Sequence, residues 1–317
     1  MSRIYEALQK AEAERNQAPR PSFEAVENPP SSAAVADYDQ SVGYAQAEFA
    51  ATLAEQQSSS APIPVSIDGL TFESIKRYSW KPSFEKLPSL LDRGPAVEQF
   101  RSLRSRLNEL RDIRPLKTVL ISSGLPQEGK SFVSANLAIS LARHRNNRVL
   151  LIDGDMRRYT VHEMLGTSSK PGLADYIAGE ATIPEILQRA DLGDAQTEDS
   201  GKAILANLAF IPGGNGGDRA ADLSGNARFG ELLKTVAPLF DWIVVDSSPV
   251  LPVSDATNLA RSCDGVLLVA RGGVTKYTVA QRAASELRAS NVLGFVLNAV
   301  QEAPQVGSYY GYNARKE

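Results

Sequence analysis

Six short apolar runs recur in the C-terminal two thirds of the chain: KTVLISS (117–123), RVLLIDG (148–154), LAFIP (208–212), WIVVD (242–246), GVLLVA (265–270) and GFVLNAV (294–300). They are near-continuous in Val, Ile and Leu rather than alternating, as expected of strands buried on both faces of a parallel sheet. Helical stretches separate them, among them SFVSANLAISLARH (131–144). A charged helix, AVEQFRSLRSRLNELR (96–111), precedes the first strand. Strands alternating with helices predict an α/β, doubly wound, mainly parallel sheet with helices on both faces. In such sheets ligands bind at the carboxyl ends of the strands.

The N-terminal third lacks this pattern. Residues 1–14 predict a short helix, with Ser2 as its cap and Ile4, Leu8 and Ala11 near one face. Residues 15–88 read as a disordered linker. Between residues 15 and 70 two basic side chains face seven acidic ones, among many Ala, Ser, Pro and Gln. Such composition buries too little apolar surface to offset its ordering entropy. The folded α/β domain is expected over 89–300, followed by a flexible tail, 301–317.

With 43% hydrophobic residues, a sizeable core is available, and the net charge of −3 gives no case for nucleic acid. The single cysteine, Cys263, excludes an intramolecular disulfide framework and a multi-cysteine zinc site. The sequence has no apolar run of membrane-spanning length and no secretory apolar centre near Met1. A cytoplasmic chain follows, which would reach a membrane only through a partner.

The chemistry concentrates after the first strand of that domain. Gly124-Leu-Pro-Gln127-Glu128-Gly129-Lys130-Ser131 matches G-x-x-x-x-G-K-[ST] between a predicted strand and a predicted helix. Glycines let backbone N–H groups turn toward phosphate oxygens, and the helix N-terminus adds positive potential. Lys130 would reach the β- and γ-phosphates, and Ser131 would ligate Mg²⁺. Gly124, Gln127, Glu128, Gly129, Lys130, Ser131 and Phe132 are the expected nucleotide contacts, with Asn298 on the adenine side. Asp246 ends an apolar strand in the Walker B manner, as a further Mg²⁺ ligand. Asp153 and Asp155 follow another strand. Two apart on an extended chain, they would face the same metal and γ-phosphate, and a carboxylate there can take a proton from an acceptor hydroxyl. The alternative reading is a charged turn balanced by Arg157 and Arg158.

Together the loop SSGLPQEGKS, the motif LLIDGDMR and the strand IVVDSSP resemble the bacterial tyrosine autokinases of capsule and exopolysaccharide systems over about residues 90–312. Two features sharpen the resemblance. Glu98-x-x-Arg101-x-x-Arg104 lines one helical face, and in that family such a face carries subunit contacts in a ring. Three tyrosines, Tyr309, Tyr310 and Tyr312, crowd the last nine residues, against ten in the whole chain; in the family such a cluster accepts phosphate. The resemblance implies ATP and Mg²⁺ as cofactors and Lys130, Asp153 and Asp155 as catalytic residues, with Asp153 the base. It puts Ser131, Asp153 and Asp246 around the metal. It further implies a homo-oligomeric ring, a separate membrane-spanning chain-length regulator as activator, and a tyrosine phosphatase as a partner.

This chain departs from the family pattern in places. Gln127 stands where the loop often has glycine, and Ser247-Ser248-Pro249 replaces Thr-Pro-Pro. The family's Pro-Pro-Asn-Pro stretch is not recognisable around GGDRAADLSGNARFGELL. The alternatives are a ParA/MinD-like partner-switching ATPase and a non-catalytic ATP-dependent scaffold. Leu125, where the former carry a lysine, weighs against the first; the tyrosine tail weighs against the second.

Overall fold

The computed structural model describes residues 69–144, 146–191 and 200–300. The expected N-terminal helix and the tyrosine tail lie outside the described residues. The strands are β1 (Arg77–Tyr78), β2 (Thr118–Ser123), β3 (Val149–Asp153), β4 (Gln188–Ala190), β5 (Leu208–Ile211), β6 (Trp242–Asp246), β7 (Gly265–Arg271) and β8 (Val292–Asn298). The α-helices are α1 (Pro95–Ile113), α2 (Lys130–Ala142), α3 (Val161–Leu165), α4 (Leu173–Ala178), α5 (Ile183–Ile186), α6 (Ser200–Leu205), α7 (Ala220–Ser224), α8 (Arg228–Val236), α9 (Asp255–Ala260) and α10 (Tyr277–Glu286).

One eight-stranded sheet runs in the order β1-β4-β5-β3-β6-β2-β7-β8. Every pairing is parallel except β4 with β5. All six predicted strands are present, and β1 and β4 extend the sheet at one edge.

Alternate strand residues feed two separate cores. Leu120, Leu150, Ile152, Ile243, Val245 and Leu268 point into one, with α4, α5 and α7–α10. Val119, Ile121, Leu151, Val244, Leu267 and Val269 point into the other, with α1, α2, α3 and α6. This two-faced burial explains why the strands read as unbroken apolar runs. Helix α2 is buried without interruption from Val133 to Ala142, so it shows no polar stripe. Its polar members are spoken for: Asn136 Nδ2 donates to the Phe132 carbonyl at 2.9 Å, and Ser140 Oγ to the Phe100 carbonyl at 3.2 Å. Helix α8 is the amphipathic counterpart, burying Phe229, Leu232, Leu233 and Val236 at helical spacing.

The linker expected over 15–88 gives way to ordered structure by residue 69. Phe72 and Ile75 enter the first core, and Trp80, Leu87 and Leu90 enter the second. The segment therefore crosses from one face to the other at the edge strand β1. Asn136 of α2 fixes it, accepting from Ser89 N–H and donating to the Lys86 carbonyl, both at 3.0 Å. Among the described residues no helix is long and apolar enough to cross a membrane.

Candidate active site

The loop between β2 and α2 lies at the carboxyl end of the sheet. Gly129, the residue before α2, is left-handed at φ 94°. A Cβ there would fall 1.9 Å from Asn298 Nδ2, so the position admits only glycine. Gln127 is also left-handed, at φ 64°. That is the place where the family pattern carries glycine, and a side chain there stores backbone strain.

Glu128 holds the loop's shape. Its buried carboxylate accepts the Leu125 N–H at 2.8 Å and a hydrogen bond from the Thr275 hydroxyl, and its carbonyl accepts Asn298 Nδ2 at 3.0 Å. Asn298 therefore braces the phosphate loop through its amide nitrogen. Phe132 packs against α1, its ring tilted on that of Phe100 at 5.9 Å between centroids.

Three strand ends converge on Lys130. Its Nζ lies 3.0 Å from Asp155 Oδ2. Burial alone would lower the ammonium's proton affinity, but Asp246, Asp155 and Asp153 together hold it above the ordinary value. Asp246 and Asp153 are register partners on adjacent strands and are fully buried. Burial raises the proton affinity of both. For Asp153, the Asp246 charge adds to it. For Asp246, Lys130 and the hydroxyls of Ser131 and Ser134 pull it partly back.

The three carboxylates are not equivalent. Asp153 accepts Asp155 N–H on Oδ1 and Val161 N–H on Oδ2, each at 3.2 Å. Asp155 accepts Arg158 N–H on Oδ1 at 3.0 Å and meets Lys130 on Oδ2. Asp246 takes the Ser134 hydroxyl on Oδ1 at 2.9 Å. Its buried Oδ2 has no partner of hydrogen-bond geometry, although Ser131 lies near enough to lower the carboxyl's proton affinity. Asp153 and Asp155, expected to face one metal, have different partners here. Strand β3 ends at Asp153, the chain turns, and Asp155 reaches Lys130 instead. Among the described residues no three acidic, His or Cys side chains form a metal cage. A magnesium ion brought with phosphates still fits, because Asp246 Oδ2 is a buried anionic oxygen awaiting a partner and Ser131 adjoins it.

Arg157 feels the Asp155 charge, but its strongest partner lies elsewhere. It forks onto Asp255 of α9, with Nε 2.7 Å from Oδ2 and a second bond of 3.3 Å. That bond lifts the guanidinium's proton affinity further. Asp255 is 1% exposed and was not singled out from sequence; the two are 98 residues apart, and no local pattern joins them.

The α1 triad also separates. Glu98 and Arg101 pair with each other at 2.6 Å on the surface. Arg104 turns inward and donates to the Ser140 carbonyl of α2 at 2.6 Å.

A phosphate loop after the second strand, a Walker B aspartate on a neighbouring strand and helices on both faces define a P-loop NTPase-type domain. Residues 127–271 match the AAA domain family. The tyrosine-protein kinase CpsD of Streptococcus agalactiae is 32% identical over 203 residues, covering 63% of this chain and 82% of that protein. The tyrosine-protein kinase wzc of Salmonella typhimurium is 32% identical over 249 residues, covering 76% of this chain and 32% of that protein. Among solved structures, the kinase domain of Escherichia coli tyrosine kinase ETK superposes with a TM-score of 0.60 at 28% identity, covering 75% of this chain and 88% of that one. The chain belongs to the bacterial tyrosine-protein kinase family. It spans only 27% to 32% of the length of several of these relatives.

Proposed function

We propose that the chain is an ATP-dependent protein-tyrosine kinase that phosphorylates its own C-terminal tyrosines, Tyr309, Tyr310 and Tyr312. The observation that carries this reading is Lys130 held 3.0 Å from Asp155 beside Asp246, at the tip of a phosphate loop, in a chain of this family.

The loop's main-chain N–H groups and the α2 N-terminus bind the phosphates. Lys130 then leaves Asp155 for the β- and γ-phosphate oxygens. Asp155 Oδ2 loses its partner and becomes the group able to accept the tyrosine phenol's proton. Asp153 is the less available acceptor, because both its oxygens already accept backbone N–H groups; it holds the turn that presents Asp155. As the phenolic oxygen bonds to the γ-phosphorus, the bond from that phosphorus to the bridging oxygen breaks, and its electrons leave with ADP. A magnesium ion held by Ser131, Asp246 and the phosphates supplies charge neutralisation across the phosphates.

The relatives' names support tyrosine-kinase activity, and the sequence resemblance supports a role in exopolysaccharide or capsule production. The same reading brings a ring of identical chains, in which one copy's tail enters a neighbour's site, with Glu98, Arg101 and Arg104 near the contact. A separate membrane-spanning regulator would recruit and activate the chain at the inner face of the membrane, and a tyrosine phosphatase would reset it.

Mass spectrometry of the purified full chain after incubation with magnesium and ATP tests the proposal. Phosphate on the tail tyrosines is expected, and none in Lys130→Met. Release of free phosphate without any phosphotyrosine would instead favour a partner-switching ATPase.

A further inference from the structure

Six serines surround the phosphate corner, and four of their hydroxyls are committed to the protein. Ser122 donates to the Ser248 carbonyl at 2.7 Å and Ser123 to the Leu125 carbonyl at 2.7 Å. Ser134 reaches the Lys130 carbonyl and Asp246 Oδ1, both at 2.9 Å. Ser247 donates to the Ile121 carbonyl at 2.9 Å. Ser131 is the hydroxyl that the loop motif sets aside for magnesium. That leaves Ser248.

Ser248 is 1% exposed, and its Oγ has no hydrogen-bond partner. Among the described residues eight buried side-chain polar atoms share that condition. Two of them, Asp246 Oδ2 and Ser248 Oγ, lie on the same strand end, two residues apart. A buried hydroxyl without a hydrogen bond is costly to leave unpaired. Two such atoms only two residues apart in the chain, on a segment tied to the phosphate loop, describe a place that a ligand completes.

The backbone fixes this position. Val250 N–H donates to the Ser123 carbonyl at 2.8 Å, and Leu251 N–H to the Gly124 carbonyl at 3.3 Å. The segment after β6 is thereby tied to the first residues of the phosphate loop. Ser247, between the two unpaired atoms, turns to β2. The Thr-Pro-Pro pattern would put a proline at 248 and offer no hydroxyl, so the donor belongs to this chain's own version of the site.

We propose that Ser248 is a nucleotide-positioning residue, whose hydroxyl donates a hydrogen bond to an oxygen at the terminal-phosphate end of bound magnesium–ATP. The inference rests on reading this corner as an ATP site. It adds a contact that discriminates the triphosphate from the diphosphate, because Lys130, Asp155 and Asp246 place that end of the nucleotide beside the β6 terminus.

Calorimetric titration of the full chain with the magnesium complexes of ADP and of a non-hydrolysable ATP analogue tests it without any turnover. Loss of one charge-assisted hydrogen bond should make Ser248→Ala bind the analogue about tenfold more weakly and ADP within about twofold of the parent chain. Ser248→Thr, which keeps the hydroxyl, should retain analogue binding, and Ser248→Cys is the volume-matched alternative should the alanine variant fold poorly. Analogue binding unchanged in both the alanine and cysteine variants overturns the inference. So does an equal loss for both nucleotides accompanied by a lower thermal midpoint, which would mark a structural role. A parent chain that takes up neither nucleotide overturns the ATP reading itself, whereas a parent that binds both beside an unaffected Ser248→Ala overturns only the role of Ser248.

Discussion

The phosphate corner and the α1 face are built from the same kinds of side chain and differ in what surrounds them. In the corner, Lys130, Asp153, Asp155 and Asp246 share a buried space where one cation faces three carboxylates. On α1, Glu98 and Arg101 form a pair whose side chains are 61% and 37% exposed, where water and salt screen the attraction. Charge is expensive in the first setting and cheap in the second. A set of ionisable residues therefore marks a site when it is buried with unmet hydrogen-bonding capacity, as at Asp246 Oδ2, and not merely because the charges cluster.

The largest effect should come from Lys130→Met. Phosphate binding should weaken by at least about 100-fold by calorimetry. The free chain should also lose roughly 3 kcal/mol, because Asp155 is left buried without its partner. Adding Asp155→Asn should restore much of that stability in urea denaturation and none of the nucleotide binding. Recovery of both would show that Lys130 serves the fold alone, and the contrast between the two regions would collapse.

Asp246→Asn should move stability and function in opposite directions. Asp246's folded proton affinity is raised above its unfolded value. Its contribution is therefore fully present below the ordinary carboxylate range near pH 3.8 and is lost as pH rises through the raised value. At pH 8 the asparagine variant should melt about 2–4 °C above the parent without nucleotide. The gap should shrink on acidification toward pH 4, and magnesium-dependent nucleotide binding should be abolished. A variant that melts lower at pH 8 would mean that the three-carboxylate corner is not strained by charge.

Gln127→Gly tests backbone strain in the same loop. Relief of a left-handed non-glycine residue should raise stability by up to about 1 kcal/mol, partly offset by the freer unfolded chain. Weaker binding in this variant would show that the strained loop is preorganised for phosphate.

Much of this comparison was legible in the sequence, for identifiable reasons. Strands β2, β3, β5, β6 and β7 announce themselves because burial on both faces demands unbroken apolar runs; β8 reads the same way but is the sheet's edge strand, with Phe295 and Leu297 exposed. Lys130, Ser131 and Asp246 follow from spacing, since the loop's geometry is local. Strands β1 and β4 were not legible: Arg77–Tyr78 and Gln188–Ala190 are short edge pieces without a period. Residues 69–88 were masked by the polar average of the segment before them, and Phe72, Ile75, Trp80 and Leu87 anchor them at irregular intervals. The different partners of Asp153 and Asp155 were not legible because the extended-chain rule stops where β3 stops. The Arg157–Asp255 fork joins elements with no local relation.

The smallest effects belong to α1, and they separate its three residues. Arg104 is partly buried and loses a bond to the Ser140 carbonyl when truncated, so Arg104→Ala should cost the single chain about 1 kcal/mol. Glu98→Ala breaks a screened pair, Arg101→Ala that pair and an exposed bond to the Asp92 carbonyl, and each should cost less than about 0.5 kcal/mol. Denaturation at low protein concentration measures these costs, and sedimentation over a concentration series measures self-association. If Glu98 and Arg101 contact a second copy, their variants should lose association while keeping the fold, and Arg104→Ala should lose some of each. Equal destabilisation of the isolated chain by all three substitutions would contradict the inward turn of Arg104, and with it the distinction between a charge that braces α2 and charges left free for a partner.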